Sequence, residues 1–298
     1  LGRTGIGERE EPVRFAGRDR SRHCYIIGAT GTGKSTLILN MVLQDIRDGA
    51  GVCVLDPHGD LYSELVRAVP SSRAADVIPI DLADAERAIG LNLLESHGTT
   101  ARQQVSFAIN EILSMFWMLY ASIPEAMGPA FEQYMRNTLM VLAQNSRGPG
   151  TVADVVPFYE DSVFRSRWLE SCTNPVPVSF FQRLAQKTTG EAGFQNMGPY
   201  ITNKLNRFVG SDFVRPIIGQ SRSTLDFREC MDQGKVLLVN LNKGVLGDVE
   251  CRLVGMLLLA KVFSAALERA SQPTANRRVF HLYVDEAQNF LTPIVGSI

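Results

Sequence analysis

The hydrophobic pattern becomes legible at residues 23–27, an apolar run that ends at a glycine. Residues 34 to about 48 follow with helical spacing. Gly51-Val-Cys-Val-Leu-Asp56 is a second run, bounded by the turn chemistry of Pro57-His58-Gly59, and reads as a strand. A short helix over 61–69 and a third strand over 76–81 continue the alternation. Strands alternating with helices predict a parallel sheet covered on both faces.

From about residue 100 to 211 the period changes. Val105, Ala108, Ile109, Ile112, Phe116 and Leu119 recur at the three-and-four spacing of one helix face. Further helices are expected over 131–144, 152–159, 164–171, 180–186 and 194–209, punctuated by Gly148-Pro149-Gly150 and Asn174-Pro175-Val176-Pro177. Sheet signals return at 235–241, a long helix covers 248–270, and a last strand over 279–284 leads into Asp285-Glu286. The fold class expected is α/β, a mostly parallel central sheet with an inserted all-α subdomain. The boundaries expected are 1–99 for the first sheet portion, 100–211 for the insert and 212–298 for the second sheet portion, the last cut short.

Composition narrows the class. Hydrophobic residues make up 45% and charged residues 20%, as in a water-soluble globular protein. A formal net charge of -1 means that nucleic-acid contact must come from a local patch. The five cysteines form no CxxC pair; Cys24 and Cys53 lie in strand-like runs and are expected to be buried thiols, in a reducing cytosol. Residues 253–267 are the longest greasy run, and Lys261 interrupts it, so it reads as a core helix and not a membrane span. The chain reads as a piece of a longer, cytoplasmic protein.

Gly28-Ala-Thr-Gly-Thr-Gly33-Lys34-Ser35 satisfies GxxxxGK[ST] between an expected strand and an expected helix. Glycines at 28, 31 and 33 let the backbone curl so that successive N–H groups face a phosphate, and the helix beginning at Lys34 adds its positive dipole end. Gly28, Ala29, Thr30, Gly31, Thr32, Gly33, Lys34, Ser35 and Thr36 are therefore the expected nucleotide-binding residues. Lys34 would bridge the β- and γ-phosphates, and the Ser35 hydroxyl would ligate Mg²⁺. A plain glycine turn between strand and helix is the blander alternative.

The strand ending in Asp285-Glu286 would deliver two carboxylates to the ligand edge of the sheet. Asp285 would hold the Mg²⁺ shell, and Glu286 would orient and deprotonate the attacking water, which makes ATP hydrolysis the expected reaction. Asp56 is a further candidate near the metal, set against an Asp-Pro turn with Asp60 as helix N-cap. Gln288 reads equally as a γ-phosphate sensor or a surface residue. Arg14, Arg18, Arg20 and Arg22 read as a solvated loop ahead of a contact to DNA or nucleotide, and Lys204, Arg207 and Arg215 as pore candidates at a discount. Trp117, Trp168, His23 and His281 read as core residues.

These motifs together have a family look. Gly28-Ala-Thr-Gly-Thr-Gly-Lys-Ser-Thr36, Val54-Leu-Asp-Pro-His-Gly-Asp-Leu61 and Tyr283-Val-Asp-Glu-Ala-Gln-Asn-Phe290 resemble the HerA/FtsK superfamily of ring ATPases, in particular TraD/TraG-type coupling proteins of conjugation and type IV secretion. Gly90-Leu-Asn-Leu-Leu94, residues 128–134 and residues 234–244 are more loosely similar. The resemblance implies a RecA-like motor domain that assembles as a homo-hexamer, binds ATP with Mg²⁺ between neighbours and pumps DNA. It also implies secretion-system or relaxase-type protein partners, a membrane anchor outside these residues, and an arginine finger and glutamine sensor beyond residue 298. A motor for protein cargo and an ATP-gated binding module are the alternatives.

Overall fold

The computed structural model describes residues 2–6, 9–20, 23–29, 31–96, 101–123, 127–184 and 193–293. The chain divides into two compact units, one of residues 1–80, 230–240 and 278–285, the other of 81–229, 241–277 and 286–298.

The first unit carries two sheets. β1 (Gly2–Ile6) and β2 (Arg9–Val13) form an antiparallel hairpin that the hydrophobic pattern does not foretell. The main sheet contains β3 (Gly51–Asp56), β4 (Val77–Asp81), β5 (Val236–Asn240) and β6 (Phe280–Val284) in the order β4-β5-β3-β6. β3 pairs in parallel with β5 on one side and with β6 on the other. Every residue of β3 and β5 is buried, which is why both read as unbroken apolar runs and not as alternating ones.

The expected first strand is not there. Residues 23–29 pair with no described strand, and Tyr25 and Ile27 are 74% and 80% exposed. Ile26 of that run packs against the core of the sheet. His23 and Cys24 are exposed, and the buried-thiol expectation holds for Cys53 but not for Cys24. Desolvation pushes the Cys53 thiol up to about 12.

Helix α1 (Gly17–Arg20) precedes the glycine loop, and α2 (Lys34–Arg47) and α3 (Asp60–Ala68) follow it. Ile38, Val42 and Ile46 form a stripe at four-residue spacing on α2, and with Leu61 and Leu65 of α3 they cover Val52, Val54, Val236 and Leu238. Each such side chain, fully buried, contributes roughly 1.5–3 kcal/mol. The start of β3 is pinned by two arginines. Arg73 donates to the carbonyls of Ile46, Ala50 and Gly234, and Arg278 donates to those of Gln233 and Gly49.

The second unit is helical: α4 (Ala101–Leu119), α5 (Pro129–Ala143), α6 (Val155–Glu160), α7 (Ser162–Ser171), α8 (Pro175–Ser179), α9 (Phe194–Val209), α10 (Arg215–Ile218), α12 (Lys243–Leu246) and α13 (Asp248–Arg269), with α11 (Phe227–Gln233) spanning the division. Its core is aromatic, built from Phe116, Phe131, Phe158, Phe181 and Phe208. The expected helices are found within a few residues, and the run at 180–186 begins as a π-helical turn, Phe180–Leu184. Trp168 is half-buried beside Gly150, whereas Trp117 is 42% exposed and is not the core residue expected.

The Gly90–Leu94 motif proves to be a structural knot. Asn92 is 1% exposed; its amide donates to the Gly150 and Ser221 carbonyls and its oxygen accepts from the Leu94 N–H. Among the described residues no helix is long and apolar enough to cross a membrane.

Candidate functional site

The glycine loop has the backbone that its sequence asks for. Gly31 and Gly33 adopt φ of 79° and 91°, the left-handed region, with open space where a Cβ would stand. The Thr32 hydroxyl donates to the Ala29 carbonyl at 2.7 Å and closes the curl. The first intrahelical bond of α2 runs from the Leu37 N–H to the Gly33 carbonyl, and no side chain caps the helix. The N–H groups of Lys34, Ser35 and Thr36 therefore precede the hydrogen-bonded helix, which is how a helix start receives an anion. Ser35 and Thr36 are exposed. Lys34 turns its ammonium onto the loop, donating to the carbonyls of Gly28 at 2.8 Å and Ala29 at 3.1 Å. Thr30 lies outside the described residues.

The other half of the site follows from strand register. Leu55 pairs with Val284 and Asp56 with Asn240, and the Asp285 N–H donates to the Leu55 carbonyl at 3.0 Å. Asn240, Asp56 and Asp285 thus occupy one rung across three neighbouring strands. Side chains alternate along a strand, so Asp285 faces the same way as Tyr283 and Asp56 the same way as Val54, toward α2 and α3.

Helix and sheet bring this rung and the glycine loop to one end of the unit. The end of α2 leads through Gly49 into β3, so α2 runs against the strands. Asp45, near that end, accepts the Tyr283 hydroxyl hydrogen bond from β6. From this anchor Lys34 lies about 16 Å along the helix, and Asp285 about 7 Å along the strand in the same direction.

The anchor is an ion-pair network. Asp45 is 3% exposed and receives both guanidinium nitrogens of Arg20, which also donates to the Tyr283 hydroxyl at 2.9 Å. Arg20 is therefore not part of a solvated loop. His281 stands 3.8 Å from the same carboxylate; burial lowers its pKa below the usual value. No local signal in the sequence identifies Arg20, Asp45 and Tyr283 as partners, because they meet only once β6 lies beside α2.

Asp56 is tied into its own turn. It is 1% exposed, one oxygen accepts the His58 N–H at 2.9 Å and the other the Tyr62 N–H at 2.8 Å. The Asp-Pro turn explains this geometry. The N-cap of α3 is Gly59, not Asp60, and its φ of 89° lets it lie against the Asn240 side chain.

Glu286 follows Asp285 with φ 50° and ψ 42°, a left-handed conformation uncommon for a non-glycine residue. Gln288 is exposed and donates to the Glu286 carboxylate. Among the described residues no group of three or more His, Cys, Asp or Glu could hold a metal. A magnesium ion shared with phosphates needs only one or two protein ligands and keeps waters, so an exposed Ser35 hydroxyl with Asp285 fits its chemistry.

Of the three pore candidates in the helical unit, Lys204 and Arg207 are engaged internally. Lys204 is 8% exposed, lies 3.3 Å from the Tyr200 ring centroid and donates to the Tyr200 carbonyl, and burial lowers its pKa. Arg207 makes a two-pronged pair with Glu250, at 2.7 and 3.0 Å. Arg215 is exposed.

Residues 5–127 match the family model described as the central domain of the helicase HerA. The HerA side of the resemblance drawn from the motifs is thus borne out over those residues. Among solved structures, the plasmid coupling protein TrwB in complex with the non-hydrolysable GTP analogue GDPNP matches with a TM-score of 0.40 and 15% identity, over 88% of this chain and 63% of that one. The bacterial conjugative coupling protein TrwBdeltaN70, in its unbound monoclinic form, matches with a TM-score of 0.39 and 16% identity, over 87% and 62%. The chain thus spans less than two thirds of either. No curated protein matches.

Proposed function

We propose that this chain is the core of an ATP-hydrolysing motor that moves DNA, of the coupling-protein kind, working as a homo-hexamer with secretion-system or relaxase-type partners. The observation that carries the reading is the rung that sets Asp285 beside Asp56 at the end of the sheet where α2 begins. The open glycine curl and the uncapped start of α2 fit a polyphosphate.

The roles follow from chemistry at each atom. N–H groups of residues 31–36 receive phosphate oxygens, and the Lys34 ammonium exchanges its loop carbonyls for the β- and γ-oxygens. Ser35 and Asp285 would hold Mg²⁺, which when bound supplies positive charge to the phosphates. Glu286 accepts the proton of the attacking water, and Gln288 steadies its carboxylate.

The test is ATP turnover by the complete protein with and without single- and double-stranded DNA, beside Glu286→Gln. Hydrolysis that DNA stimulates, and that Glu286→Gln abolishes while nucleotide still binds, supports the motor. Turnover indifferent to DNA points to protein cargo instead, and a function that survives Glu286→Gln points to an ATP-gated binding module.

A further inference from the structure

The segment that follows Glu286 is held to the helical unit at two places. Gly255, in the middle of α13, has no room for a side chain: a Cβ there would lie 2.4 and 2.6 Å from two ring carbons of Phe290. Phe290 is 1% exposed. Two residues on, the Thr292 hydroxyl donates to Glu111 Oε2 of α4 at 2.9 Å, and both residues are buried to 1% exposure or less. The intervening chain is a tight turn, in which Asn289 donates to the Glu286 carbonyl and Phe290 and Leu291 to that of Ala287.

Glu111 is an expensive residue to keep at this place. Among the described residues its Oε1 has no hydrogen-bond partner, and a buried oxygen so placed lowers stability. What the side chain supplies is one acceptor, and that acceptor holds the turn carrying a residue in the left-handed region. Such a conformation is unfavourable for a side chain and persists only where its surroundings over-determine it.

We propose that Glu111 is a positioning residue for Glu286: through Thr292 it fastens the turn of residues 286–292 to α4, and so holds the backbone that carries Glu286. Hydrolysis then depends on how that turn packs on α4. This rests on the reading of Glu286 as the proton acceptor.

The experiment compares Thr292→Val, Glu111→Leu and Glu111→Gln in the complete protein. ATP turnover, ATP affinity, thermal stability and backbone hydrogen exchange over 286–292 are read for each. Thr292→Val and Glu111→Leu are expected to lower kcat by roughly tenfold or more with affinity within about twofold. Exchange over 286–292 should rise in both, and Glu111→Leu should melt no earlier than the parent. Glu111→Gln keeps the acceptor and should stay within about threefold of the parent kcat, with unchanged exchange. Parent-like turnover and exchange in Thr292→Val and Glu111→Leu, or a Glu111→Gln as defective as Glu111→Leu, would overturn the proposal. So would kcat falling only in step with stability. If the parent hydrolyses no ATP, or Glu286→Gln turns over normally, the reading of Glu286 has failed, and the exchange data still decide whether Glu111 fastens the turn.

Discussion

The Leu55 carbonyl accepts the N–H of Asp285 at 3.0 Å, which carries the β3–β6 ladder one residue past the Leu55–Val284 pair and sets Asp285 beside Asp56. A carboxylate placed by a backbone ladder moves only if the sheet moves. The glycine loop is instead placed by α2, and α2 is bonded to β6 through Asp45 and Tyr283. The first unit thus holds both halves of the candidate site through one short chain of contacts.

Lys34→Ala should leave the fold intact, because among the described residues its ammonium bonds only to the carbonyls of Gly28 and Ala29 in an exposed loop. It should weaken ATP binding by about 100-fold, the loss of roughly two charge-assisted hydrogen bonds. Titration with a fluorescent ATP analogue checks this; unchanged affinity would remove the loop from the site.

Asp45→Asn should cost about 2 kcal/mol, below the usual range for a broken buried pair because the Arg20 side chain keeps 23% exposure. Urea unfolding measures it. The same variant should loosen β6 against α2, so nucleotide affinity is expected to fall with stability.

Gly255→Ala sets two effects of opposite sign against each other. Alanine favours a helix interior by about 1 kcal/mol, but its Cβ would lie 2.4 Å from the Phe290 ring, and overpacking of that kind costs about 1–3 kcal/mol. The clash should win, and Phe290→Leu in the same chain should recover part of the loss; denaturant melts of the single and double variants test the coupling.

Glu111 gives a pH dependence of definite sign. Burial raises its folded pKa above the unfolded value. Its contribution is therefore fully present below the ordinary carboxylate range and lost as pH rises through the folded value. Glu111→Gln does not titrate, so its melting temperature relative to the parent should climb as pH rises above the ordinary carboxylate range. A difference independent of pH would show that Glu111 is not buried as described.

What could be read from the sequence was local. The α2, β3, β5 and α13 segments were legible because each buries a continuous stripe or a fully covered run, and the glycine loop because its residues are demanded by positive φ. The Asn240–Asp56–Asp285 rung was not legible, since register is a property of pairing and not of either strand. Residues 23–27 failed as a strand because an apolar run does not reveal whether an edge awaits it. The β1–β2 hairpin gave no hydrophobic alternation to detect. Arg20 looked like one of four loop arginines until Asp45, twenty-five residues on, was placed opposite it. Glu111 hid within a helix face, where a lone carboxylate normally points to water.

The central claim is that the loop and the rung act on one bound triphosphate, and a double-variant cycle of Mg²⁺-ATP affinity across Ser35→Ala and Asp285→Asn tests it most directly. If both side chains serve one metal, removing the second after the first costs little, and the cycle should show a coupling of about 1 kcal/mol or more. Losses that simply add, to within about 0.5 kcal/mol, would mean that the two residues serve separate sites.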